Sequence, residues 1–341
     1  MPDIFLVCAG DFYYQNRIFD LNNPASRDDY YYPYYLLKKR FFEHNITLNT
    51  YDYFSKVQSK RYRLIFFDIP HGIDELLRAH NNIDKFLVIF ESGVINKNNW
   101  NKEYHKYFKK IFTWANTWVK GEKYIKYYWP NKIPEQVEAN LKRRDKLCTM
   151  IVANKFKSHP LGLYAERIRA IRWFEKEHPE DFDLYGMGWD QYYFKAAFSR
   201  LNRFASLRKL LRPKHPSYKG PVKSKREVLQ KYKFAICYEN AKDIPGYITE
   251  KIFDCFFAGC VPVYWGAPNV ADYIPANTFI DKRDFKRYEE VYDFIKNIPD
   301  TEYTNYLKAI KDFVESDRIY PFSADCFAKI IIDEIAKDPL S

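Results

Sequence analysis

Residues 232–240 have the sequence Tyr-Lys-Phe-Ala-Ile-Cys-Tyr-Glu-Asn, residues 246–251 are Gly-Tyr-Ile-Thr-Glu-Lys, and residues 258–266 are Ala-Gly-Cys-Val-Pro-Val-Tyr-Trp-Gly. An apolar run, a loop, a helix start and a second apolar run follow one another, which predicts a strand–loop–helix–strand unit. The polar residues gather where the first strand ends and the helix begins. Because ligands bind beyond the carboxyl ends of the strands in open α/β sheets, this stretch predicts a binding site.

Short strands and helices alternate on both sides of this unit, which predicts mostly parallel sheets. Residues 130–144 carry prolines and charges with weak apolar periodicity, and they predict a linker between two such sets. A length of 341 residues also favours two domains. We therefore predict an α/β fold of two Rossmann-like domains facing a cleft. The expected strands are 4–9, 64–68, 85–90, 109–115, 147–153, 182–185, 232–237 and 261–265, and the expected helices are 34–44, 163–177, 194–211, 303–314 and 324–336.

Positive charge is concentrated in one segment of the chain. The net charge is +11, and residues 195–226 alone hold eleven Lys and Arg and no acid. The remainder is balanced, whereas a nucleic-acid-binding protein more often spreads its positive charge over a whole face. We therefore predict no nucleic-acid partner. The aromatic content of 19% suits a carbohydrate-facing cleft, although ordinary core packing is the simpler interpretation.

The six cysteines include no CxxC pair and no His-rich partner, which predicts free thiols in a reducing cytosol. The N-terminus lacks the basic region and long apolar core of a signal peptide. No run approaches the roughly 18 apolar residues of a membrane span. We expect a cytoplasmic protein, peripheral on the inner membrane face.

The polar residues of the quoted stretch suit a nucleotide-sugar donor. Its diphosphate gains negative charge on leaving, and a basic side chain at a helix N-terminus, such as Lys251, stabilises that charge. Asn240 and Tyr247 can hydrogen-bond ribose or phosphate, and Glu250 can accept sugar hydroxyls or stabilise a positively charged carbon. Taken alone, the Thr-Glu-Lys triplet is more typical of an ordinary helix start with Thr as the N-cap. Convergence with Glu239 at one strand end favours the donor site, and we predict that Glu239 binds the donor too.

The order of these residues resembles the donor-binding motif of the α-1,3/4-fucosyltransferases, inverting enzymes that use GDP-fucose. The family string Tyr-Lys-Phe…Glu-Asn…Tyr-x-Thr-Glu-Lys…Gly…Pro-Val/Ile-Tyr-Trp-Gly…Pro…Ser-Phe-Ile matches residues 232–280, with Thr278 where Ser is usual. A weaker match covers about 147–190. The resemblance implies the two-domain architecture called GT-B, and GDP-fucose as the donor. In the family, the Asn, Tyr, Glu and Lys of this string bind the donor, which implies the same role for Asn240, Tyr247, Glu250 and Lys251.

An upstream arginine is the second donor-site element that the resemblance implies. The family places a basic residue, pointing at the diphosphate, on the helix after the first strand of this domain. Residues 147–177 look like that unit, which implies Arg167, with Arg169 and Arg172 as alternatives. An arginine on an exposed helix is more often simply solvated.

Glu91 is the predicted general base. An inverting transfer needs one group to take the proton from the attacking hydroxyl, and Glu91 ends an apolar run at a strand tip. The string Phe-Glu-Ser-Gly is similar to the place where the family has its proposed base. Asp68 and His71, at the neighbouring strand tip, are the alternatives, and an ordinary strand-end glutamate is the simpler interpretation. The predicted catalytic residues are thus Glu91 and Glu250.

Asp181-Phe-Asp183 has the spacing of the metal-binding DxD motif of another glycosyltransferase fold, but it precedes a strand instead of following one. Because Lys and Arg can neutralise the phosphates, we predict no metal site and no required cofactor, with divalent cations at most stimulatory.

Residues 194–211 place apolar side chains at helical spacing with Arg and Lys between them, a basic amphipathic pattern. The segment 194–226 has three interpretations: peripheral contact with an anionic membrane that carries lipid-linked glycans, a frame for the nucleotide site, or a solvated face.

Together these features predict an α-1,3-fucosyltransferase that moves L-fucose from GDP-β-L-fucose to an oligosaccharide acceptor. The expected linkage is α-1,3 to N-acetylglucosamine of an N-acetyllactosamine-type or lipopolysaccharide acceptor. The alternative is a GT-B glycosyltransferase that uses a different nucleotide sugar. The expected organisation is an acceptor-binding domain over 1–140, a GDP-fucose-binding domain over 145–320, and a C-terminal helix within 321–341 that packs back on the first domain.

Overall fold

The computed structural model describes residues 3–57, 61–137, 144–194 and 196–337. These residues form two parallel sheets with helices packed against them. The strands are β1 Asp3–Cys8, β2 Thr47–Thr50, β3 Tyr62–Phe67, β4 Lys85–Ile89, β5 Lys110–Thr113, β6 Tyr124–Lys126, β7 Lys146–Ile151, β8 Phe182–Tyr185, β9 Tyr232–Tyr238, β10 Val261–Trp265 and β11 Ile280–Asp281. The α-helices are α1 Tyr32–Glu43, α2 Ile73–Ala79, α3 Lys102–His105, α4 Tyr164–Glu177, α5 Ala205–Leu210, α6 Lys225–Leu229, α7 Glu250–Phe257, α8 Tyr288–Asn297, α9 Asp300–Val314 and α10 Ala324–Ala336.

The first sheet has the strand order β2-β1-β3-β4-β5-β6, and every neighbouring pair is parallel. Its central strands are nearly continuous apolar runs because both faces of the sheet are covered. One core cluster lies on each face. The order reverses between β1 and β3, so the sheet has a topological switch point there.

The second sheet has the order β11-β10-β9-β7-β8 and is also parallel throughout. When its strands are counted from β7, this order matches that of the first five strands of the first sheet, and the reversal lies between β7 and β9. The loops that follow β7 and β9 therefore leave the sheet in opposite directions, and a crevice opens between them. The predicted α/β fold of two Rossmann-like domains is confirmed.

The chain crosses between the two domains at two adjacent points. Asn131 N–H donates to the Phe322 carbonyl at 2.8 Å, and Ala324 N–H donates to the Asn131 carbonyl at 2.8 Å. Helix α10 then packs on α1 and joins the core of the first domain. Most of the predicted linker is irregular, and residues 138–143 lie outside the described residues.

The basic segment departs from its predicted structure. The prediction of one amphipathic helix over 194–211 is wrong, because a 3-10 helix at Ala196–Arg203 is separated from α5 by the extended residue Phe204. The Asn202 amide also bonds the backbone N–H and C=O of Phe194, both at 2.9 Å. This local bonding competes with a continuous helix.

Two simpler expectations concern cysteines and membrane spans. All six cysteines are free thiols, as predicted, and five are buried. Among the described helices, none combines the length and the apolarity needed to cross a bilayer.

Candidate active site

A cavity of about 340 Å³ lies at the switch point of the second sheet and is closed on one side by the first domain. Its walls come from the ends of β7 and β9, from α4, and from the start of α7. Five of the residues predicted from the sequence line it: Glu91, Arg167, Asn240, Glu250 and Lys251. Glu91 thus shares one small volume with four side chains that lie 76 to 160 positions further along the chain.

Arg167 is a buried cation in the wall of this cavity. Its side chain is only 6% exposed, and its Nη2 donates to the Tyr238 carbonyl at 2.7 Å and to Asn240 Oδ1 at 3.1 Å. Its Nε has no hydrogen-bond partner. Burial lowers the pKa of Arg167, but a guanidinium stays protonated in proteins. An unused donor on a buried cation suits an anionic ligand.

The two alternative arginines of α4 face away from the cavity. Arg169 pairs with Glu166, and Arg172 lies 3.4 Å from Glu175. Both are more than half exposed, so the structure singles out Arg167 among the three.

Glu239 holds the start of α7 in place through hydrogen bonds to Thr249 and Lys251. It is 0% exposed, and its carboxylate accepts hydrogen bonds from Thr249 N at 2.8 Å and Thr249 Oγ1 at 2.7 Å. Lys251 Nζ donates to the same carboxylate at 3.2 Å. The Thr249 hydroxyl is therefore used as a donor to Glu239 and does not cap the helix. Glu239 thus positions Thr249 and Lys251 and is not among the residues that line the cavity, and its predicted contact with the donor stays a prediction.

Lys251 and Glu250 remain charged at the cavity wall. Burial acts to lower the pKa of Lys251, but Glu239 and Glu250 raise it above its ordinary value. Burial acts to raise the pKa of Glu250, but Lys251 and Lys225 hold it below its ordinary value. The site therefore presents a cation and a carboxylate next to each other.

Glu91 enters the same cavity from the first domain, just beyond β4. Burial and the nearby Asp68 raise its pKa to about 7, while Lys251 opposes this shift. Tyr247 Oη donates to Glu91 Oε2 at 3.4 Å. A carboxyl that exchanges its proton near neutral pH is suited to general base catalysis.

Tyr247 ties the second domain to the first. It is 1% exposed, and its ring packs on Trp114 with centroids 4.7 Å apart. Gly246 has φ +83°, and a Cβ there would lie 2.5 Å from the Trp114 carbonyl oxygen, so only glycine fits this approach. The Tyr247 ring is enclosed by protein and its hydroxyl bonds Glu91, and the predicted ribose or phosphate contact of Tyr247 stays a prediction.

The two alternatives to Glu91 as a base occupy other positions. Asp68 Oδ1 accepts three hydrogen bonds, from Phe90 N at 2.8 Å, Glu91 N at 3.0 Å and Asn99 Nδ2 at 2.7 Å. Burial raises the pKa of Asp68 to about 6. His71 lies on the exposed surface. Neither lines the cavity.

The sequence did not single out three basic residues of the cavity: Arg27, Lys155 and Lys225. Lys225 Nζ lies 2.6 Å from Asp254 Oδ2, and its backbone N–H donates to Asp28 Oδ1 of the first domain at 2.8 Å. The basic composition of 195–226 was a usable signal for Lys225. No sequence signal pointed to Arg27, which reaches the cavity through tertiary contacts.

A larger cavity of about 980 Å³ adjoins the first and shares Arg27, Lys155, Lys225 and Glu250 with it. Its wall includes several aromatic side chains of the first domain and one of α7. These are Phe12, Tyr30, Tyr34, Trp129 and Phe257. Aromatic faces beside a polar cavity suit the apolar faces of sugar rings.

The carboxylates of the DxD-like string are engaged elsewhere. Asp181 accepts from Tyr292 at 2.7 Å and lies 2.6 Å from Lys296. Asp183 accepts from Lys146 at 2.7 Å and Tyr232 at 2.6 Å. Over the ranges that the structure describes, no group of three or more His, Cys, Asp or Glu could hold a metal ion.

Two parallel-sheet domains with a cavity between them define the GT-B class of glycosyltransferases. Solved structures of the same fold include an α1,3-fucosyltransferase with GDP-fucose, at TM-score 0.56 and 17% identity, covering 99% of this chain and 92% of that chain. An α-glucosyltransferase in complex with UDP and DNA matches at TM-score 0.60 and 11% identity, covering 99% and 100%. At these identities the likeness concerns the fold alone.

Residues 141–320 match the C-terminal part of glycosyltransferase family 10 (fucosyltransferase), and the chain belongs to this family. The α-(1,3)-fucosyltransferase FucT of Helicobacter pylori is 45% identical over 75 residues, which are 22% of this chain and 16% of that protein. The α-(1,4)-fucosyltransferase of Arabidopsis thaliana is 38% identical over 69 residues, 20% and 17%. The GDP-fucose protein O-fucosyltransferase 3 of Gallus gallus is 38% identical over 85 residues, 24% and 18%. Each match spans less than a fifth of the relative's own length.

Proposed function

We propose that this protein is an inverting fucosyltransferase that transfers L-fucose from GDP-β-L-fucose to a glycan hydroxyl. One observation carries the proposal: a carboxyl of the first domain, Glu91, lines the same 340 Å³ cavity as the cations Arg167 and Lys251 of the second. The acceptor oxygen forms a bond to the anomeric carbon while the bond from that carbon to the phosphate breaks. The acceptor proton passes to Glu91, and GDP leaves with the bonding pair.

The cations of the cavity stabilise the leaving diphosphate. Arg167 offers a buried guanidinium with an unpaired Nε, and Lys251 is fixed by Glu239 at the start of α7. Lys225 adds a third cation close by. Preorganised charge of this kind acts most strongly on the transition state, where the phosphate oxygen gains charge. We propose that these residues remove the need for a metal ion or any other cofactor.

Glu250 takes the role of a fixed negative charge. Its pKa is held below its ordinary value, so it is ionised at neutral pH. An ionised carboxylate beside the sugar can accept hydroxyl hydrogen bonds and stabilise positive charge on the anomeric carbon. This role complements Glu91, whose raised pKa suits proton transfer.

We propose α-1,3 transfer to N-acetylglucosamine of an N-acetyllactosamine-type or lipopolysaccharide acceptor. Support comes from the similarity to the Helicobacter pylori α-(1,3)-fucosyltransferase over 75 residues. The 980 Å³ cavity beside Glu250 is large enough for several sugar rings, and its aromatic wall belongs mainly to the first domain.

We propose that the acceptor is presented at an anionic membrane surface, bound peripherally by the segment 194–226. Its apolar side chains project outward beside arginines and lysines, and Leu210 is 80% exposed. Cations next to exposed apolar groups favour an anionic bilayer surface. Lys223 and Arg226 of this segment line the 980 Å³ cavity, so a membrane held by the segment would be near the acceptor site.

Thermal unfolding with GDP-fucose, GDP-mannose and UDP-galactose in parallel tests the donor. A ligand that binds only the folded state adds about 2.7 kcal/mol at a hundredfold excess over Kd. We expect the largest shift with GDP-fucose. A larger shift with another nucleotide sugar would favour the alternative donor, and no shift with any would contradict the donor site.

Transfer itself is tested with GDP-fucose and N-acetyllactosamine, followed by NMR of the product. We expect an α-L-fucoside, whereas a β-linked product would contradict inversion.

Vesicle co-sedimentation tests the membrane contact. We expect Leu210→Glu to reduce binding to vesicles of phosphatidylcholine and phosphatidylglycerol. Leu21→Glu, which changes an exposed leucine of the first domain, is the control. Equal binding of the wild-type protein to purely zwitterionic vesicles would contradict the proposal.

A further inference from the structure

We propose that Asp68 and Asn99 are positioning residues that hold Glu91 in place on the wall of the donor cavity. The inference rests on the proposed function, in which Glu91 is the base of the transfer. It gives Asp68 a different role from the alternative base that the sequence suggested. Asn99 belongs to the polar string Asn96-Lys-Asn-Asn-Trp-Asn101, whose composition is typical of an ordinary loop.

Both backbone polar groups of Glu91 are bound by these two side chains. Glu91 N–H donates to Asp68 Oδ1 at 3.0 Å, and Asn99 Nδ2 donates to the Glu91 carbonyl at 2.9 Å. Asn99 Nδ2 also donates to Asp68 Oδ1 at 2.7 Å, so the two side chains are linked. Glu91 lies beyond the last paired residue of β4, where no strand neighbour could supply these bonds.

The pair Asp68 and Asn99, which we call the brace, is anchored in the first sheet. Asp68 N–H donates to the Val88 carbonyl at 2.9 Å, and Phe90 N–H donates back to the Asp68 carboxylate at 2.8 Å. The carboxylate thus continues the β3–β4 ladder past its end. Asp68 has φ +58°, a left-handed conformation that Asp tolerates better than most residues but that still costs energy.

Asn99 completes the connection between the two loops. Its side chain is fully buried, and its Oδ1 accepts from Ile69 N at 2.8 Å. The same amide therefore holds the loop after β3 with its oxygen and the loop after β4 with its nitrogen. His105 Nε2, 2.9 Å from the Asn99 carbonyl, fixes the Asn99 backbone in turn.

Asp68 also acts on Glu91 through its charge. The groups facing Glu91 are Asp68 and Tyr127 of its own domain, Tyr164 of α4, Tyr247, and Glu250 and Lys251 of α7. After burial, Asp68 is the strongest influence that raises the Glu91 pKa, and Lys251 opposes it. Loss of the Asp68 charge should therefore make Glu91 more acidic.

Asp68→Asn tests this charge while keeping an oxygen that can accept the two backbone N–H groups. We expect the acid limb of the pH profile of kcat/KM to move down by about one pH unit, since a nearby carboxylate no longer opposes ionisation of the base. Asp74→Asn removes an equal charge from an exposed position on α2 and should leave the limb in place. An unmoved limb in Asp68→Asn would overturn the electrostatic role.

Asn99→Ala tests the positioning role by removing the links from both loops at once. We expect kcat to fall at least about tenfold with the donor Kd within about twofold, because the cations of the cavity are untouched. Asn98→Ala is the matched control: its amide also joins the two loops, by donating to the Pro70 carbonyl at 3.1 Å, but it bonds neither Asp68 nor Glu91, and kcat should be unchanged. Equal kcat in the Asn99 variant and wild type would overturn the proposal.

A titration without substrate separates this inference from the proposed function. The Glu91 carboxyl carbon, assigned by its absence in Glu91→Gln, can be followed by ¹³C NMR in the wild type and in Asp68→Asn. A lower midpoint in Asp68→Asn supports the action of Asp68 on Glu91 even if no fucose is transferred, which would then count against the proposed function alone. An unchanged midpoint would overturn the electrostatic role of Asp68 even in an active enzyme.

Discussion

At the scale of single residues, the two carboxyls Glu91 and Glu250 differ in what surrounds them. Glu91 is next to Asp68 and has a raised pKa, whereas Glu250 is next to Lys251 and has a lowered one. Environments that shift the pKa values of two carboxyls in opposite directions suit one for proton transfer and keep the other charged. The proposed role of Glu91 as base leads to two residue-scale predictions.

Glu91→Gln should abolish most of the transfer without weakening donor binding. A glutamine keeps the shape but cannot take the acceptor proton, so we expect kcat to fall by about 10²–10⁴-fold. The GDP Kd, measured by calorimetry, should stay within about twofold because Arg167 and Lys251 are unchanged. Retention of full activity would exclude Glu91 as the base.

The same substitution should change how stability depends on pH. The folded pKa of Glu91, about 7, lies above its ordinary value, so the folded state binds the extra proton and wild-type stability is lost as pH rises from about 4.5 to about 7. We expect Glu91→Gln to be more stable than wild type by about 1–3 kcal/mol above this window and to lose that advantage below it. Urea unfolding at about pH 4.5 and about pH 8 measures the difference. A constant difference at both pH values would contradict the raised pKa.

At the scale of elements, the start of α7 depends on one buried carboxylate. Glu239 holds the Thr249 backbone, the Thr249 hydroxyl and Lys251 together. Glu239→Gln should weaken the charge-assisted bonds and lower the free energy of unfolding by about 1–3 kcal/mol. It should also weaken GDP binding, since Lys251 loses its anchor. Thr249→Ser keeps the hydroxyl and is the control; a Glu239→Gln protein with wild-type stability and GDP affinity would show that the anchor is dispensable.

At the scale of the whole molecule, α10 belongs to the first domain although it follows the second in the chain. Ile331 is fully buried in the core cluster that contains α1 and strands of the first sheet. We expect Ile331→Ala to lower the free energy of unfolding by about 2–5 kcal/mol and to reduce hydrogen-exchange protection of β1, not of β9. Lys329→Ala, on the exposed face of the same helix, should leave both unchanged. Loss of protection confined to the second domain would contradict this packing.

The fold was largely predictable because parallel strands appear as apolar runs, and β8, β10 and α10 have the predicted bounds. The candidate site was predictable where motif residues reach the cavity, as with Asn240 and Lys251. It was not predictable where burial decides the role. The side chains of Glu239 and Tyr247 are buried in the protein interior, which a sequence pattern cannot show. Arg27 and Asn99 depend on contacts between loops far apart in sequence. The broken helix at Phe204 shows a helical period overridden by the Asn202 bonds to the backbone.

The paired crossings at Asn131 and Ala324 have a consequence for synthesis on the ribosome. About 190 residues separate them, which at roughly 5–20 residues per second is about 10–40 s of translation. During that interval the first sheet has emerged, but α10, which covers part of its apolar face, has not. The second domain can therefore finish folding before α10, the last helix of the first domain, has been synthesised. We therefore expect the second domain to mature before the first, and part of the apolar surface of the first domain to stay exposed until α10 has been synthesised.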